Sequence, residues 1–186
     1  MASAARRLLT VEEFLELDIE LEGVPRVELD NGVILAMAGG SGTHNRVQSN
    51  VMGTLFERLK GSGCRPYGPD MGVRTHDLSL RYPDVSVFCG REGPENDKLK
   101  QFDDPTLIVE ILSPSTRRRD KDVKLPEYRA MPSLKTILYI DPDAQKVQLS
   151  TRTQGGGWRD FEVDSKEDVV LVSLGISIAW AEIFAR

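Results

Sequence analysis

The chain has 186 residues, a length that fits one domain and can bury a substantial core without staples. Hydrophobic residues make up 40% and charged residues 28%, which excludes a disordered or fibrous chain. The 24 basic and 29 acidic residues give a net charge of −5, which disfavours indiscriminate nucleic-acid binding but leaves room for a local basic patch such as Arg117-Arg118-Arg119.

No apolar run approaches the roughly 20 residues of a membrane helix, so no membrane partner is expected. Met1 to Leu9 carries two arginines and no apolar core of a signal peptide. Cys64 and Cys89, 25 positions apart, match neither a zinc pattern nor a disulfide framework. They are expected as two inert thiols in a reducing cytosol, and the protein as cytoplasmic.

In chain order, Thr10 and Glu13 have capping-box spacing, and Leu9 and Phe14 fall at the hydrophobic-staple positions. A helix starts there and ends by Gly23 and Pro25. Arg26–Asp30 and Val33–Ala38 flank Asn31-Gly32 and predict a hairpin. The loop Gly39-Gly40-Ser41-Gly42 precedes a second helix, capped by Ser41 or Thr43, with Val47, Val51, Leu55 and Leu59 as its apolar stripe. A strand around Val73 ends near His76, and Tyr82–Cys89 alternates as another. Gly90–Asp104 is a polar excursion.

Thr106–Leu112 reads as a buried strand, Arg119–Met131 as a helix and Thr136–Ile140 as a further strand. The crossover between these two strands makes them parallel neighbours. Pro126 is tolerated only in a first turn, so the regular helix starts near Lys124. A late hairpin, Lys146–Ser150 and Trp158–Val163, turns at Gly155-Gly156-Gly157. Val169–Leu171 and a short helix around Trp180–Phe184 close the chain. The sum is a single α/β domain over residues 1–186, a mixed β-sheet flanked by helices.

Three residues stand out chemically. Glu110 interrupts an otherwise apolar strand, and a buried unpaired carboxylate costs several kcal/mol. It must be salt-bridged, protonated or bound to a metal. Asp84 follows Pro83 at a strand start, where Pro-Asp is common, and gains meaning only if its strand pairs with that of Glu110. Two carboxylates with waters suit Mg²⁺ or Mn²⁺ rather than zinc. Lys124, at the start of the following helix, could orient an attacking water or stabilise developing negative charge. Lys121 competes for that role. For each, the plain alternative is structural: a buried ion pair, a turn, a solvated helix lysine.

Pro83-Asp84, the segment Val109-Glu110-Ile111-Leu112-Ser113-Pro114-Ser115-Thr116, and then Asp120, Lys124 and Tyr128 resemble the Uma-two family of the restriction-endonuclease-like PD-(D/E)xK superfamily. Val11-Glu12-Glu13-Phe14, Val27-Glu28-Leu29-Asp30-Asn31-Gly32, Ala38-Gly39-Gly40-Ser41 with His44-Asn45, and Leu174-Gly175-Ile176-Ser177 extend the likeness over nearly the whole chain.

The resemblance implies a restriction-endonuclease-like fold and a Mg²⁺- or Mn²⁺-dependent nuclease acting on nucleic acid, most simply DNA. It maps the metal ligands onto Asp84, Glu110, the Ile111 carbonyl and, as an extra acid, Glu28. His44 would support the site or touch phosphate, or else pack as a helix-terminal histidine. Arg117, Arg118 and Arg119 are the candidates for phosphate contact. A homodimer is also implied. One position departs from the superfamily pattern: Leu112 stands where the lysine normally follows the glutamate by two, and Lys124 takes the role from the helix. The displaced lysine and the acidic total charge also fit a silent nuclease fold that binds nucleic acid or a partner without cutting. A third reading is an interaction protein in which Glu110 is merely salt-bridged.

Overall fold

The computed structural model describes residues 7–17, 26–37, 39–113, 117–164 and 167–186. The first helix, α1 (Val11–Glu16), begins with a complete capping box: the Thr10 hydroxyl accepts from the Glu13 N–H and the Glu13 carboxylate from the Thr10 N–H. Phe14 is buried against Leu9, as the staple spacing requires. Gly23, Pro25 and Ala38, expected to end the helix and the first hairpin, lie outside the described residues.

Strands β1 (Val27–Asp30) and β2 (Val33–Ala36) pair antiparallel around Asn31 and Gly32, both at positive φ (48° and 77°). That is the twist a two-residue hairpin needs. Gly32 is required twice, because a Cβ there would also lie 2.5 Å from the Cβ of Leu8. Helix α2 (Gly42–Arg58) is capped by Ser41, whose hydroxyl accepts from the His44 N–H.

Then follow β3 (Cys64–Tyr67), β4 (Gly72–His76), β5 (Ser79–Arg81) and β6 (Val85–Cys89). The polar excursion holds a short 3₁₀ turn and β7 (Gln101–Phe102). Next come β8 (Leu107–Ile111), the short α3 (Arg117–Arg119), a π-helical turn over Asp120–Lys124, α4 (Leu125–Ala130) and β9 (Thr136–Asp141). The chain ends with β10 (Lys146–Arg152), β11 (Trp158–Val163), β12 (Val169–Leu171), β13 (Ile176–Ile178) and α5 (Trp180–Ile183).

The central sheet has six strands in the order β11-β10-β9-β8-β6-β3. Strands β8 and β9 run parallel, joined by the helical crossover, and β6 pairs antiparallel with β8. A five-stranded sheet, β2-β1-β5-β4-β7, and the hairpin β12-β13 complete the fold.

Alternation along β8 supplies two cores. Leu107, Val109 and Ile111 pack with Val47, Val51, Leu55 and Leu59 of α2. Ile108 and Leu112 pack on the other face with Tyr128, Met131, Leu134 and Tyr139. Each fully buried aliphatic side chain contributes about 1.5–3 kcal/mol, so the α2 stripe alone is a major anchor. Among the described residues no helix is long and apolar enough to cross a membrane.

One expectation is corrected. Cys64 and Cys89 are joined in a disulfide. The pairing was hidden because β3 was not foreseen: Pro66 breaks its strand pattern, yet β3 is an edge strand, where a proline is tolerated. Its register then sets Cys64 directly opposite Cys89 of β6.

Candidate active site

Glu110 is the fourth residue of β8 and 4% exposed. Asp84 immediately precedes β6, whose Val85 is the partner of Val109. The two acids therefore lie at one end of the β6–β8 pair, near enough for the Asp84 charge to act on Glu110. Asp84 is held from three sides. Its Oδ2 accepts from the Ile111 N–H at 2.6 Å, its Oδ1 lies 3.3 Å from His44 Nε2, and its carbonyl accepts from Gln48 Nε2 at 2.9 Å. The hydrogen bond to Asp84 raises the His44 pKa, with support from the Ile111 main chain. The other ring nitrogen, Nδ1, is buried without a partner.

Glu110 meets α4 and the turn before it. Its Oε1 accepts from the Tyr128 hydroxyl at 2.6 Å and lies 3.3 Å from Lys124 Nζ. Burial pushes Glu110 up to about 8, against the opposing charge of Lys124. Burial by itself would lower Lys124, but Glu110, Glu28 and Asp120 around it hold its ammonium charged well above the ordinary range. Asp120 Oδ1 is 3.2 Å from that nitrogen and Glu28 Oε2 is 3.9 Å. Lys121 turns away and donates to Gln148. The structure thus brings Glu28, Glu110 and Lys124 together and leaves Lys121 outside.

The arginine triplet is largely engaged. Arg117 bonds Asp141 at 2.5 Å, and Arg119 bridges Glu28 at 3.0 Å and Asp30 at 2.7 Å. Arg118, 95% exposed, makes a loose pair with Asp122. Residues 114–116 of the Ser-Pro-Ser-Thr segment lie outside the described residues.

Sequence reasoning passed over Arg81. It is 0% exposed and bonds Glu28 (3.4 Å), Asp30 (2.6 Å) and Glu127 of α4 (2.7 Å). A signal existed: Glu28 and Asp30 alternate onto one face of β1, and two carboxylates on a buried face demand cations. Burial would raise Asp30, but Arg81 and Arg119 outweigh it and hold the carboxyl below its ordinary range.

Two carboxylates and the Ile111 main chain are hard oxygen donors of the kind Mg²⁺ or Mn²⁺ takes. Glu28 Oε2, buried with no hydrogen-bond donor, is a further donor at the same cluster. The donor chemistry fits a hard divalent cation, although among the described residues no group of three or more His, Cys, Asp or Glu side chains is already gathered as a cage.

The sheet with its parallel β8–β9 crossover, and the acid pair at its end beside a helix-borne lysine, define a restriction-endonuclease-like α/β protein. The chain belongs to the Uma2 family, described as "Putative restriction endonuclease", which it matches over residues 11–183. A crystal structure of a putative nuclease belonging to DUF820 from Anabaena variabilis superposes with a TM-score of 0.72 at 22% identity, over 95% of this chain and 98% of that one. Two uncharacterized Synechocystis proteins are similar in sequence: slr1290, 29% identical over 92% of this chain and 88% of its own length, and sll1609, 30% identical over 85% and 89%.

Proposed function

We propose that this protein is a divalent-metal-dependent nuclease that hydrolyses phosphodiester bonds, with DNA as the substrate. The observation that carries the reading is the juxtaposition of Asp84 and Glu110 across β6–β8 with Lys124 Nζ 3.3 Å from Glu110. Asp84, Glu110 and the Ile111 carbonyl would hold Mg²⁺ or Mn²⁺, with Glu28 as an additional acid. Bound there, the ion supplies Lewis-acid polarisation of the phosphate and a more acidic water.

The chain's own groups do the rest. Lys124 keeps a positive charge beside the reacting phosphate, and Tyr128 fixes the Glu110 carboxylate through its 2.6 Å hydrogen bond. His44 restrains Asp84 on the side of α2. Arg118 is the most exposed cation of the triplet, and its loose pair with Asp122 leaves it able to meet a backbone phosphate. A homodimer, which would present two such sites to a duplex, is part of the same proposal.

The test is cleavage of plasmid DNA in Mn²⁺ or Mg²⁺, with calorimetric titration of Mn²⁺ alongside. Asp84→Ala and Glu110→Ala are expected to abolish cleavage and weaken Mn²⁺ binding while the fold persists. Full activity in both variants refutes the proposal.

A second reading, a nuclease fold that binds nucleic acid without cutting, is favoured by one observation. The acids already have internal partners, the Ile111 N–H and His44 for Asp84 and Tyr128 and Lys124 for Glu110. It predicts salt-dependent DNA affinity and no metal-dependent product.

A further inference from the structure

Asp120, Lys124 and Tyr128 are spaced by four residues, and all three are buried toward β8 and β9. In an α-helix of 3.6 residues per turn, every fourth residue overshoots a full turn by about 40°, so such a stripe would drift by about 80° over two steps. The chain removes this drift with the π-helical turn over Asp120–Lys124, in which the Leu125 N–H donates to the Asp120 carbonyl. Pro126 favours the wide turn, because it has no N–H for the Asp122 carbonyl and its ring crowds that position.

The Asp120 carbonyl takes a second donor, the hydroxyl of Tyr139, at 3.2 Å in the buried interior. Tyr139 is no remote residue. It stands on β9 as the registered partner of Glu110 on the parallel strand. Two tyrosines therefore lock helix to sheet reciprocally. Tyr128 reaches from α4 to the Glu110 carboxylate, and Tyr139 reaches from beside Glu110 to the turn that carries Lys124.

We propose that Tyr139 is a positioning residue, whose hydroxyl pins the π turn so that Lys124, rather than Lys121 of the same turn, faces Glu110. The work given to Lys124 rests on the nuclease reading, but its placement can be measured without turnover. The pin also accounts for a lysine carried by a helix rather than by the strand: the position two after Glu110 is Leu112, buried in the apolar core against α4.

The experiment is Tyr139→Phe, read by pulsed acetylation of lysines with mass spectrometry and by steady-state cleavage kinetics in Mn²⁺. In the wild type Lys124 is expected to react slowly. In Tyr139→Phe its rate should rise tenfold or more while Lys60, outside the turn, keeps its own, and far-UV circular dichroism stays unchanged. Tyr128→Phe, which leaves the pin in place, should keep Lys124 slow. Cleavage by Tyr139→Phe should lose kcat at least tenfold with KM unchanged. Unchanged Lys124 reactivity in Tyr139→Phe, or a change in KM alone, overturns the proposal. If Tyr139→Phe does not fold, Pro126→Ala, which supplies Asp122 with the missing donor and favours plain α-helical bonding, replaces it. Faster acetylation of Lys124 there supports the proposal, and no change refutes it. If the wild type does not cleave DNA, the nuclease reading fails and the acetylation rates alone decide the positioning role.

Discussion

Replacing Arg81 by Met keeps a linear side chain in the space and removes the charge that joins β1 to α4. The consequences fall unevenly. Arg119 still reaches Glu28 and Asp30, at 3.0 and 2.7 Å, so the acids of β1 keep a counter-ion. Glu127 loses both of its bonds from Arg81, at 2.8 and 2.7 Å, and retains the Thr75 hydroxyl at 3.0 Å and a distant His76 at 3.8 Å. Breaking a buried pair by removing one partner costs about 3–5 kcal/mol, because the remaining charge is left desolvated. At about 2–4 °C per kcal/mol for a chain of this size, the midpoint of thermal unfolding should fall by about 6–20 °C. The loss must depend on pH. Asp30 is held below its ordinary range, so its contribution is present at neutral pH and disappears as pH falls through its folded pKa. Because the shift of Asp30 is downward from 3.8, the gap between Arg81→Met and wild type should hold from neutral pH to about 4 and narrow only below it. Adding Glu127→Gln should recover part of the loss in a double-mutant cycle. A destabilisation below about 1 kcal/mol, against the magnitude expected for a broken buried pair, or a gap that does not narrow below about pH 4, would refute the account of Arg81 as the charge hub.

Glu110, ordinarily titrating at 4.5, is pushed up to about 8 by burial, so between those values the folded state binds more protons than the unfolded one. Stability should therefore decline with rising pH across that window, by at most about 1.4 kcal/mol per pH unit, and Glu110→Gln should flatten the decline in urea unfolding at pH 5.5, 6.5 and 7.5. Gly32→Ala places a side chain at φ 77° and against Leu8, and should cost at least about 1–2 kcal/mol in urea unfolding. A neutral result would mean the hairpin turn does not require glycine. Reduction of Cys64–Cys89, which closes a 25-residue separation, should lower stability by about 3 kcal/mol. An Ellman assay of the unfolded, unreduced protein should find no free thiol.

Strong local signals carried much of the fold into the sequence. The capping box at Thr10, Asn31-Gly32 between two strands, the fourfold valine and leucine stripe of α2 and the crossover from β8 to β9 each rest on neighbouring residues, and each appears in the structure. Strands β3, β5 and β7 were illegible because they are two to four residues long and owe their pairing to distant partners. The disulfide followed β3 into obscurity. At the site, Glu110 announced itself as a charge in an apolar strand, whereas Arg81 did not, since an arginine on a three-residue strand looks solvated until Glu28, Asp30 and Glu127 are seen to enclose it.

The π turn explains why the lysine was the hardest residue to place. Counting by α-helical periodicity from Arg119 leaves Lys121 and Lys124 in open competition, and sequence alone cannot say where an extra residue enters a turn. The structure sets Lys124, and not Lys121, beside Glu110 through groups outside the helix: Tyr139 on β9 holds the Asp120 carbonyl, and Asp120, Glu28 and Glu110 surround Lys124. Three carboxylates about one ammonium leave an excess of acid there, shared with Arg119 and Arg81 on the side of Glu28. Such an excess is costly to keep buried unless further positive charge can reach it. A divalent cation arriving with a phosphate substrate, as proposed above, would offset that excess, and burial, which pushes Glu110 up to about 8, makes it the acid whose charge is costliest to keep without one.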